Sequence, residues 1–159
     1  MFGKRKKEIQ IQDQDFKILP TVVRDYPAKV VLAWAKSVDG ESQFTVWLNE
    51  NGYPELAMAT YAIYLKDEAR SWLMQYGFPH LMAMINAAEG NKKAQAWLIT
   101  NNLELYFHMA MAIEDEKLSW KWIQANCGIE IFILAQSIKK IKDQIETNHN
   151  DIHSYGKDY

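Results

Sequence analysis

Residues 71–100 read SWLMQYGFPHLMAMINAAEGNKKAQAWLIT, and this stretch decides the fold. It opens on Trp72-Leu73 and meets Gly77, a residue free to adopt the left-handed conformation that ends helices. Pro79 follows, a residue suited to the first turn of a helix because its missing N–H has no partner there anyway. An apolar run then leads to the polar turn Asn91-Lys92-Lys93 and to a second Trp-Leu pair, Trp97-Leu98. The segment therefore holds the end of one helix, the whole of a second and most of a third. Its two tryptophans are 25 residues apart, and the same interval continues outward to Trp47 and Trp122.

Each of the four tryptophans precedes an aliphatic residue: Leu48, Leu73, Leu98 or Ile123. Each is followed within a few residues by Asn or Gly: Asn51-Gly52, Gly77, Asn101-Asn102, and Asn126 with Gly128. Pro54 opens a helix as Pro79 does, and Pro27 opens an earlier one. Aligned on this period, Leu56, Leu81, Tyr106 and Ile131 form one apolar column, and Ala62, Ala87, Ala112 and Ser137 form a column of small residues that lets helices approach closely. A helix of about ten residues is about 15 Å long, so two helices and two tight turns fill each unit. The pattern predicts an all-α chain of tandem helix-turn-helix repeats of 25 residues stacked as a short α-solenoid, with about nine helices. The expected helices are 27–38, 42–50, 54–65, 67–76, 79–89, 92–101, 103–114, 117–126 and 129–146. A closed bundle with incidental internal similarity would share these helices but not an open groove.

The flanks do not repeat. Residues 1–24 form a basic N-terminal arm, with Lys4, Arg5, Lys6, Lys7, Lys17 and Arg24 against Glu8, Asp13 and Asp15, and Ile and Gln alternate over 9–12 as in a short strand. The repeat domain is expected over 25–146, with a polar, disordered tail over 147–159. The formal net charge of the chain is −2, so the body beyond the basic arm is acidic, and nucleic acid is not expected as its partner. With one cysteine, Cys127, no disulfide can form within the chain. No apolar run follows the basic start and none is long enough to span a membrane, so a cytoplasmic location is expected.

The repeat resembles the ankyrin-like class of helix-pair solenoids over about residues 25–138. Phe78-Pro79-His80-Leu81-Met82-Ala83 and Tyr53-Pro54-Glu55-Leu56-Ala57-Met58 are similar to the Thr-Pro-Leu-His-x-Ala start of an ankyrin helix, and Trp72-Leu73-Met74-Gln75-Tyr76-Gly77 is similar to the run that ends such a unit. Ankyrin units have about 33 residues, so the 25-residue unit has no room for their β-turn finger. What the resemblance implies is architecture alone.

In such a stack the first helix of each pair lines a concave face used for binding. The register places Glu55, Met58, Tyr61, Tyr64, His80, Asn86, Glu89, His108, Met111 and Glu114 on that face, a mixture suited to a peptide or protein. Trp47, Trp72, Trp97 and Trp122 are expected as structural residues of the repeat core. The sequence thus predicts a protein- or peptide-binding adaptor or regulator without catalysis, cofactor or metal. One alternative is a self-associating structural subunit. The other is an enzyme using His80, His108 and nearby carboxylates, although two histidines fix no third ligand and no phosphate loop or nucleophile elbow accompanies them.

Overall fold

The computed structural model describes residues 23–157, with nine helices and no strand among them. They are α1 (Ala28–Val38), α2 (Ser42–Glu50), α3 (Pro54–Ile63), α4 (Asp67–Gln75), α5 (Pro79–Ala88), α6 (Lys92–Thr100), α7 (Glu104–Ile113), α8 (Lys117–Asn126) and α9 (Ile129–Lys157). The fold is all-α, and its helix pairs follow the 25-residue period. The alternation over residues 9–12 and most of the basic arm lie outside the described residues.

Left-handed residues set this punctuation, two in each of the first three units and one in the fourth. The first helix of a pair ends on a left-handed residue in the column Gly40, Leu65, Gly90 and Asp115, and the second on Gly52, Gly77 or Asn102. Pro54 and Pro79 occupy the first turns of α3 and α5, and the Asn91 side chain caps α6 by accepting from the Ala94 amide at 3.0 Å. Asn51, Asn101 and Asn126 each donate a side-chain N–H to the carbonyl of the repeat tryptophan four residues earlier, at 2.8–2.9 Å. These bonds satisfy carbonyls that helix ends leave unpaired.

The first helices of the pairs, α1, α3, α5 and α7, pack side by side as an inner layer, and α2, α4, α6 and α8 lie outside them. The small column works as its alignment suggests: Ala62, Ala87, Ala112 and Ser137 are all buried. Outer helices also close off the ends of inner ones. Arg70 on α4 donates to the Ala62 carbonyl at 3.0 Å, and Gln95 on α6, one period later, donates to the Ala87 carbonyl at 3.1 Å.

The long helix α9 gives the stack its final form. It packs against α7 and α8 as the next inner helix should, but its most extensive contact is with α1. The stack curves until its last helix meets its first, so the concave face is filled by side chains. Glu55 and His80 are buried there with Leu56, Leu81, Met84 and Met109. Helix α9 also runs to Lys157, through the segment expected as a disordered tail. Extending a helix already anchored by packing costs little, and the i,i+4 ion pairs Lys139–Asp143 (2.7 Å) and Lys142–Glu146 (3.8 Å) support its polar face.

Candidate binding groove at the C-terminal rim

Closure of the ring divides the residues of the expected concave face into three groups. The first group is buried inside. Glu55 is only 1% exposed; its carboxylate pairs with the Arg24 guanidinium at 2.6 Å and accepts from the Tyr26 hydroxyl at 2.9 Å. Arg24 also lies over the Tyr53 ring, 4.7 Å from its centroid. His80 is fully buried, packs edge-on to Tyr106 at 5.1 Å, and has no hydrogen-bond partner on either ring nitrogen. Neither residue lines an accessible face, because the neighbours expected across an open groove are here closed over it. Arg24→Ala is expected to cost about 2 kcal/mol in a denaturation measurement, less than a wholly buried pair because the guanidinium is partly solvated and Tyr26 still bonds Glu55.

The second group is half-buried structure. Met58 packs against the core, Met111 is half-buried, and Asn86 accepts from Arg70 at 3.1 Å. His108 faces away from His80. Its ring stacks on Trp122 with centroids 4.2 Å apart, and its Nδ1 is 2.9 Å from the Ser119 hydroxyl. Burial lowers its pKa, and Glu104, 4.0 Å away, partly offsets this. His80 and His108 are therefore not brought to one site, and no group of three or more His, Cys, Asp or Glu side chains that could hold a metal occurs among the described residues.

The third group marks one rim of the ring: Tyr61 lies in the last turn of α3, and Tyr64, Glu89 and Glu114 are the residues that end α3, α5 and α7. Tyr64 donates to the Val38 carbonyl at 2.7 Å. Glu89 pairs with Arg70 at 2.9 Å, and Glu114 with Lys142 of α9. Between these ends and α9 lies a groove of about 430 Å³ with apolar walls, lined by Ile63, Leu65, Ile85, Ala88, Ile138 and Ile145 and bordered by Glu89, Lys142 and Glu146. Its size falls within the range of ligand-binding clefts.

Leu65 distinguishes this groove from an incidental depression. Its φ is +67° and it is 50% exposed, at the register position where the other units carry Gly40, Gly90 and Asp115. A leucine in the left-handed region costs about 1–2 kcal/mol relative to ordinary helix geometry, and here its side chain gains little burial in exchange. The sequence reading passed over it, although writing out the column from Gly40 to Asp115 sets a leucine among turn residues. The four repeat tryptophans, Trp47, Trp72, Trp97 and Trp122, are half-buried and packed against the core. Trp47 stacks on Tyr53 at 6.4 Å and Trp72 on Phe78 at 6.0 Å. No helix among the described residues is long and apolar enough to cross a membrane. Compared with known proteins, the chain matches no family model, and neither a curated protein nor a solved structure shows significant similarity to it.

Proposed function

We propose that this chain is a cytoplasmic, non-catalytic helical-repeat module, an adaptor or regulator that holds an apolar segment of a protein partner in the groove between α3, α5 and α9. Leu65 carries this reading. A strained, half-exposed leucine stands where glycine or aspartate serves the same turn elsewhere in the chain, and local strain of this kind collects at sites of function. The apolar walls suit an aliphatic or aromatic anchor. The ion pairs at the rim suit the polar border that surrounds such anchors in protein interfaces.

The reading is tested by Leu65→Asn, because Asn tolerates the left-handed conformation and removes the apolar contact. The variant is expected to be as stable as the parent or up to about 1 kcal/mol more stable, and to lose a partner that the parent captures from lysate of its native host. Capture of the same partners by both proteins would remove the groove from consideration. A concentration-dependent rise in mass, seen by sedimentation and abolished by Leu65→Asn, would make the occupant a second copy of the chain.

A further inference from the structure

The inner helices before α9 all stop at one register position: α1 at Val38, α3 at Ile63, α5 at Ala88 and α7 at Ile113, each 25 residues after the last. Helix α9 closes the ring along its seam with α1, passes that position at Ile138 and runs on to Lys157. A helix rises about 1.5 Å per residue, so α9 overhangs the rim by about 28 Å.

One apolar stripe follows α9 from the body into the overhang. Ile138, Ile141, Ile145, Asn148, Ile152 and Tyr155 succeed one another at alternating intervals of three and four. That is the spacing by which two helices pack along their length, and a single Asn in such a row fixes the register of the pair. Ile138 and Ile141 are buried in the body, and Ile145 packs against it while forming the wall of the groove opposite Leu65. Tyr61, Tyr64 and Leu65, three of the large apolar side chains that the chain leaves exposed, lie at the same rim. A groove and a helix end of the kind that fills one thus belong to one face of one chain.

We propose that the α9 overhangs of two copies of this chain pair antiparallel and close each other's groove. With the two-fold axis beside Asn148, Ile145 of one copy faces Ile152 of the other, and the last two turns of each helix lie between the other's Ile145 and Leu65. The interface is self-complementary, as a two-fold contact must be. Overhang and rim together offer about 25 residues on each side, the size of a stable interface. The inference rests on the groove reading and adds a regulation to it: a protein partner reaches the groove by displacing the second copy.

Sedimentation of the full-length chain and of two charge variants tests this. Leu65→Asp keeps a residue suited to the left-handed turn, as Asp115 is at the same register position, and Ile152→Lys puts the opposite charge on the helix end. The parent is expected to dimerise with a Kd of about 10 µM. Each variant alone should associate about a hundredfold more weakly, because both of its contacts would bury an unpaired charge. An equimolar mixture of the two should dimerise again, since one contact of the mixed pair is the parent's and the other sets Lys against Asp. A parent that stays monomeric to about 200 µM would overturn the proposal. So would a dimer that survives in either variant, or a mixture that stays monomeric. The groove reading falls on a different result, unchanged partner capture by Leu65→Asn.

Discussion

Leu73→Ala is expected to lower the free energy of unfolding by about 4 kcal/mol, and Trp97→Ala by only about half as much. The larger residue has the smaller effect because of where each sits. Leu73 is completely buried, as are Leu48, Leu98 and Ile123 at the same register position. Truncating it removes its buried methyl groups and leaves a cavity between α4 and the inner helices it covers, in packing too close to collapse onto it. Trp97 lies partly in solvent, and its register partner is Leu103 where Trp47 and Trp72 have Tyr53 and Phe78 to stack on. Urea denaturation with unchanged slope would give both values. A greater loss from Trp97→Ala would mean that the tryptophans, not the aliphatic residues after them, hold the units together. The seam adds a second expectation. An open repeat array frays from its ends, whereas the α1–α9 contact ties the first unit to the last, so both variants should still unfold in one transition.

This difference between neighbouring residues shows what the sequence could convey. The Trp period, Pro54 and Pro79, and the Gly and Asn stops are local signals. They place every helix from α1 to α8 within two residues of its observed bounds and α9 at its observed start, because turns and caps are decided by residues adjacent in the chain. Curvature is not local. It accumulates from small rotations between successive pairs, and nothing in any one unit states that four of them return α9 to α1. Glu55 and His80 were for that reason expected on an open face and are found enclosed. The helical continuation to Lys157 was missed for a related reason, since polar composition was read as disorder where ion pairs spaced four apart extend an anchored helix. The groove itself was half legible. Glu89 was named and borders it, and Glu114 was named and pairs with Lys142 at its rim, while its far wall, Ile138 and Ile145, belongs to a helix whose approach depends on closure.

Closure also sets the response to acid, and His80 is expected to be its main source. Burial without a partner pushes the His80 pKa down to about 4 from 6.5, since the interior disfavours the charged ring. The folded state therefore holds His80 neutral in the range where the unfolded chain takes up a proton. Stability should be unaffected above about pH 6.5, fall as the pH drops toward 4, and lose no more from this group below that. A displacement of this size corresponds to about 3 kcal/mol. Carboxylates begin to titrate at the lower end of this window, so the comparison that isolates His80 is between the parent and His80→Leu, with urea midpoints measured at intervals from pH 7 to pH 4. His80→Leu removes two buried nitrogens that have no partner and keeps an apolar side chain of moderate size, so it should be more stable than the parent at pH 7 by about 1–2 kcal/mol. The advantage should grow by about 3 kcal/mol as the pH falls through the window. His108 gives the contrast: its ring is partly solvated and bonded to Ser119, so replacing it should change the pH profile far less. An advantage for His80→Leu that stays constant from pH 7 to pH 4 would mean that the ring is solvated in the folded chain and that the inner layer is open at this point.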